Sequence, residues 1–223
     1  MLRKVAAEFV GTAFLLATVI GSGIMASQLS DDPGLQLLEN SIATGAVLVA
    51  LILTLQPVSA AFNPVVTAVE VALGEVKLKD AAPLVAAQFA GGFVGAVAAN
   101  LMFELDAIQV ASHVRDGPGM WLAEVIATFG LVIIIFGGMR AGRTDTIAFA
   151  VGGYIAAAYW FTSSTSFANP AVTVARIFSD TFAGIAPASV LMFVVMQVIG
   201  GVLAWLFVRL ALPAQTTSAR GAT

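Results

Sequence analysis

Of the 223 residues, 59% are hydrophobic and only 10% charged, with a mean hydropathy of +0.97; a soluble domain carries about 25% charged residues, so this composition excludes one. The absence of cysteine and the single histidine, His113, exclude disulfides, thiol nucleophiles and almost every transition-metal site, and no metal or cofactor is expected. A formal net charge of -3 without clustered Lys or Arg excludes a nucleic-acid surface.

The chain opens with Arg3 and Lys4 ahead of an apolar run, which has the form of a signal peptide. The run continues from Val5 to Ser27 and its pattern returns later, so it is read as a retained helix. Further apolar segments run from Ser41 to Leu55, Ala81 to Phe103, Met120 to Met139, Ile147 to Phe161 and Pro187 to Ala211, which predicts six spans of a multi-pass protein embedded in the lipid bilayer. The second and fifth look short and need Ser, Thr or Gln at their ends to approach the ~20 residues of a crossing. Two segments stand outside this scheme. Pro64 to Gly74 and Pro170 to Ser179 are apolar, begin at Asn-Pro and are too short to cross. At 1.5 Å per residue each covers about 15 Å, so two of them end to end cover about the 30 Å of hydrocarbon.

The same sequence pattern occurs twice. AEFVGTAFLLATVIGSG from Ala7 aligns with AEVIATFGLVIIIFGGM from Ala123, placing Glu8 on Glu124 and Thr12 on Thr128. NPVVTAVE at Asn63 then matches NPAVTVAR at Asn169, and Gln88-Phe89-Ala90-Gly91-Gly92 matches Gln197-Val198-Ile199-Gly200-Gly201. Each half holds three full spans and one half-span, and an odd number of crossings inverts the second half relative to the first. The expected architecture is a single all-α membrane domain over 1–223, six transmembrane helices plus two re-entrant half-helices, with inverted repeats at about 1–105 and 119–212. Arg3, Lys4, Lys77, Lys79, Arg140, Arg143, Arg209 and Arg220 fall on one face of it, and Arg115 and Arg176 on the other. The positive-inside tendency makes both termini cytoplasmic.

Proline suits the first position of a helix and asparagine the cap before it, so both pairs read as helix starts. With its side-chain oxygen accepting from its own helix, each Asn keeps an NH2 group to donate to a passing solute. Each start also carries about half a positive charge, so two starts facing each other repel cations and accommodate a neutral solute with hydroxyl or water oxygens. A passive pore is the function this chemistry predicts.

At this point the chain resembles the aquaporin, or major intrinsic protein, family, through Asn63-Pro64-Val65, Asn169-Pro170-Ala171, the paired Glu8 and Glu124 and the two Gln-x-x-Gly-Gly stretches. The resemblance covers essentially the whole chain and implies a homotetramer in the cell membrane with one pore per subunit. It also implies that Glu8 and Glu124 accept from backbone N–H groups of the half-helix loops. Departures from the family pattern carry information. The first box, Pro57-Val58-Ser59-Ala60-Ala61-Phe62-Asn63-Pro64-Val65, looks one residue short, lacks the family's His and has Val65 in place of Ala. After the second box, where the family commonly has the Arg of its outer selectivity filter, stands Val172. Alignment by spacing gives Thr44, with Ala43 as its alternative, Ala157 and Ser166 as the other walls. A filter of Thr44, Ala157, Ser166 and Val172 has no aromatic and no Arg, and is expected to be wide and apolar. It points to glycerol, urea, arsenous acid or other neutral metalloids, with water, and the Val resembles a bacterial subgroup linked to metalloid or methylated-arsenical permeation. The alternatives are a water-selective pore and, more remotely, a proton-coupled transporter using Glu8 and Glu124. Arg176 is expected to snorkel to the interface or offset its half-helix dipole rather than to face the vestibule. No nucleophile has a basic partner, so an enzyme is not expected.

Overall fold

A computed structural model describes residues 1–212; Arg220 and the end of the expected domain at 223 lie outside the described residues. In chain order the helices are α1 (Leu2–Leu29), α2 (Pro33–Leu55), α3 (Pro64–Ala72), α4 (Leu78–Met102), α5 (Pro118–Arg140), α6 (Ile147–Phe161), α7 (Pro170–Ala175) with a 3-10 turn at Arg176–Phe178, and α8 (Pro187–Ala211). Five of them, α1, α2, α4, α5 and α8, are long and apolar enough to cross a membrane, and α6 is a shorter apolar helix of 15 residues. Together they form the all-helical membrane fold expected from the sequence.

The second span corrects its expected start by eight residues. The helix begins at Pro33, taking in Gln36, Glu39 and Asn40 ahead of the apolar run. Asp32 caps it by accepting from the N–H groups of Gly34 (2.7 Å) and Leu35 (3.3 Å), and the proline occupies the first turn, where no N–H is needed. Asn40 is buried and donates to the Val19 carbonyl (2.8 Å) and the Ser22 hydroxyl (2.9 Å), so a polar residue inside a span is satisfied by the neighbouring helix.

The apolar surface and the polar interior are reversed relative to a soluble protein. Leu2, Phe14, Ile42, Leu122, Phe149, Leu191 and Leu210 are more than half exposed, whereas Glu8, Gln88, Glu124 and Gln197 are fully buried. Where helices cross, glycines let the backbones meet. A Cβ at Gly91 or Gly95 of α4 would lie 2.2 Å from the carbonyl oxygen of Phe9 or Ala13 on α1, and one at Gly152 of α6 would lie 2.5 Å from that of Gly45 on α2. These are small-residue crossings typical of membrane helices. They bring α1, α2, α5 and α6 close enough to wall a cavity, beside which the N-terminal ends of α3 and α7 meet.

Candidate functional site: a cavity closed around two Asn-Pro caps

Asn63 and Asn169 sit in extended backbone immediately before α3 and α7. The Oδ1 of Asn63 accepts from Val65 N–H (3.0 Å), and that of Asn169 from Ala171 (2.9 Å) and Val172 (3.3 Å), so both residues are the expected caps. Their amides are only partly free. Asn63 Nδ2 donates to the Ala168 carbonyl and Asn169 Nδ2 to the Phe62 carbonyl, both at 2.8 Å, so one hydrogen of each NH2 ties the two half-helices together. One hydrogen on each remains for the cavity that both residues line. Phe62 and Ala168, the two residues preceding the asparagines, have φ of +49° and +50°. This left-handed backbone is costly for a residue with a Cβ, and its occurrence at both boxes marks the same forced turn.

Two carboxylates hold these turns. Glu8 accepts from Ser59 Oγ (2.5 Å), Ala61 N–H (2.9 Å), Phe62 N–H (2.7 Å) and Gln88 Nε2 (2.8 Å). Glu124 accepts from Phe167 N–H (3.0 Å), Ala168 N–H (2.9 Å) and Gln197 Nε2 (2.6 Å). Each glutamine donates onward to a half-helix threonine, Gln88 to Thr67 and Gln197 to Thr173. The loop N–H groups, which no lipid could satisfy, thus find anionic acceptors inside the protein. The first box, which looks one residue short, keeps the left-handed residue before Asn and the carboxylate contacts of the second, but its loop takes a different path: Thr165 and Ser166 of the second are also left-handed, with φ of +62° and +54°, and have no counterpart in the first.

A cavity of about 390 Å³ extends from Lys4, Glu70 and Glu75 at the mouth on the amino-terminal face to Arg176 at the other. Its middle is walled by apolar side chains, among them Val19, Leu48, Leu131 and Val151, with Asn63 and Asn169. Pro64, Val65 and Pro170 lie off this cavity and line an apolar groove toward α8. Val65 packs on Gly201, where an added Cβ would meet its Cγ1 at 2.3 Å, so the Val in place of Ala leaves the cavity bore untouched.

The comparisons agree with this geometry. The sequence profile described as Major intrinsic protein matches residues 1–146. The chain is 48% identical over 208 residues to the aquaglyceroporin AqpS of Rhizobium meliloti (strain 1021), covering 93% of this chain and 89% of that protein. The chain belongs to the major intrinsic protein family. The X-ray structure of the aquaglyceroporin from Plasmodium falciparum superposes with a TM-score of 0.76 over 94% of this chain and 96% of that one, at 17% sequence identity, which shows the shared fold. This major intrinsic protein is a membrane channel for small solutes and not an enzyme.

The end of the cavity at Arg176 corrects part of the expected filter. Thr44, Ser166 and Val172 line the cavity. Ala157 does not; it is exposed on the outer surface of α6. Tyr159, two residues on and therefore about 200° further around the helix, faces inward, its hydroxyl 3.1 Å from Thr44 Oγ1. Phe167 and Arg176 also line this end, so the aromatic and the guanidinium expected to be missing are both present. Arg176 is 2% exposed, held against the cavity rather than extended over the protein's surface. No apolar-pattern signal identified Tyr159, but the four-residue spacing from Val172 to Arg176 was the available clue to Arg176. Ser166 Oγ is buried without a partner among the described residues.

Proposed function

We propose that this channel is a passive pore for small uncharged solutes, with glycerol, urea, arsenous acid or other neutral metalloids, and water, as its cargo. The observation that carries this reading is the cavity middle, where apolar walls leave two Asn amide donors and no ionisable side chain. A solute that accepts hydrogen bonds is held there weakly enough to leave, as conduction requires. The printed name of the Rhizobium relative, an aquaglyceroporin, supports the choice of solute class. A proton-coupled transporter would need a protonatable group in the middle, and Glu8 and Glu124 are occupied by the loops rather than lining the cavity.

The same reading places the chain in the cell membrane with both termini cytoplasmic, as two inverted halves at about 1–105 and 119–212, assembled as a homotetramer. The many exposed apolar side chains support embedding in lipid. Charge supports the orientation, since Lys4, Lys77, Lys79, Arg140 and Arg143 belong to the amino-terminal face.

The alternative, a water-selective pore, gains support from Tyr159, Phe167 and Arg176, which together narrow the outer end. Stopped-flow light scattering on proteoliposomes separates the two, with native protein and Val172→Arg compared for water, glycerol, urea and arsenous acid. The native pore is expected to pass the larger solutes, and Val172→Arg to lose them while keeping water. Water passage alone, unchanged by the substitution, would establish the water-selective reading instead.

A further inference from the structure

The aligned half-helix motifs NPVVTAVE and NPAVTVAR end at equivalent positions, Glu70 and Arg176. Both line the cavity, at opposite mouths. Arg176 is nearly fully buried, its Nε donates to the Ala183 carbonyl, and its guanidinium carbon lies 3.5 Å from the Phe167 ring centroid. Neither of its Nη nitrogens has a hydrogen-bond partner, and no carboxylate pairs with it, among the described residues. A charge held this way serves packing poorly, since burial of an unpaired cation is costly. Arg140 shows the structural alternative, with Nη1 donating to the carbonyls of both Val208 and Leu212. A second cation, Arg115, stands 5.1 Å from the same Phe167 ring and is tied to the carbonyls of Gly184 and Phe182. Two buried positive charges thus flank the Phe167 ring, and of the two only Arg176 lines the cavity.

We propose that Arg176 is a specificity-determining residue of this pore, supplying from one helical turn beyond Val172 the fixed positive charge and the hydrogen-bond donors that sort solutes at the outer mouth. Phe167 acts as the shelf that holds its guanidinium plane and the Ala183 carbonyl as the anchor of Nε, leaving the Nη groups to face the cavity. Solutes then meet a hydroxyl pair at Thr44 and Tyr159, an apolar surface at Val172 and a cation at Arg176. A neutral oxygen-bearing solute gains donors there, whereas a cation of the same size meets a like charge in a poorly solvated passage. The proposal rests on the channel reading above.

Urea and the guanidinium ion provide the test, being planar, of nearly equal size and differing in charge. Full-length native protein, Arg176→Lys, Arg176→Gln and Arg176→Met are reconstituted, and urea and guanidinium permeabilities are measured against empty vesicles. The two neutral variants differ in length, so one serves if the other fails to insert. The expected result is a guanidinium-to-urea permeability ratio raised about tenfold or more in either neutral variant, with Arg176→Lys close to native. A ratio in the neutral variants equal to the native one overturns the proposal, and so does a rise in Arg176→Lys as large as theirs. Native vesicles that pass water, glycerol and urea no faster than empty ones overturn the channel reading itself and the proposal with it, a result distinct from the first two.

Discussion

Glu124→Gln separates a loop-holding carboxylate from a proton-carrying one. Two oxygens of Glu124 receive Phe167 N–H, Ala168 N–H and Gln197 Nε2 within 3.0 Å. An amide of the same shape keeps one acceptor oxygen and turns an NH2 toward the other donor or donors. At least one buried N–H loses its partner, at ~1–3 kcal/mol, and the surviving bonds lose their charge assistance, at about 1 kcal/mol more. The sum is ~3 kcal/mol. At about 2–4 °C per kcal/mol for a chain of this length, the midpoint of thermal unfolding should fall by ~6–12 °C. The assay is unfolding in detergent micelles followed by tryptophan fluorescence, with exposed Asp106→Asn as the control. Glu8→Gln should behave alike, because Glu8 holds Ala61 and Phe62 in the same way. A midpoint within about 1 °C of native, combined with loss of solute flux, would refute the reasoning and make Glu124 a protonation site.

Substituting Gly152 by Leu places a Cβ 2.5 Å from the Gly45 carbonyl oxygen, so α2 and α6 must separate; a loss of ~1–3 kcal/mol is expected, read as a lowered unfolding midpoint, whereas Gly153→Ala, with nothing within 4 Å, should be silent. In an exposed loop the Ser112 N–H, and after it the Ser112 hydroxyl, hold the Asp180 carboxyl below its ordinary 3.8. A depressed carboxyl contributes its stabilisation above the unfolded pKa and loses it as pH falls through the folded one. Amide exchange at Ser112 should therefore be slower in native protein than in Asp180→Asn at pH 5 to 7, with the difference vanishing only below pH 3.8; equal rates at neutral pH would contradict the link.

Crossing helices and half-helices were legible because length and hydropathy are local properties, and the Asn-Pro starts announce themselves by capping chemistry. The repeat singled out Glu8 and Glu124 as paired acids within spans, but their role as acceptors for the half-helix loops came from the family resemblance, since an acid inside a span could equally have carried protons. Less could be read at the outer end. Which side of α6 faces inward depends on rotation, and two residues on a helix differ by about 200°, so spacing from distant motifs could choose Ala157 where Tyr159 belongs. Arg176 escaped for a different reason: charge near a membrane argues for snorkelling, and only the three-dimensional proximity of Phe167 and Ala183 shows a place built for it. The polar start of α2 was hidden because Asn40 finds its partners on α1.

The reciprocal bonds from Asn63 to Ala168 and from Asn169 to Phe62 bear on how the molecule comes to exist. A ribosome delivers Asn63 more than a hundred residues before the carbonyl it will meet, so the first loop is inserted with a buried donor still awaiting its acceptor. Its own carboxylate, Glu8, is already present to steady the turn, and completion waits for the second loop. A chain interrupted before residue 168 would carry spans and a half-helix but no finished passage, and α8 must still follow to bring Gln197 to Glu124 and Thr173.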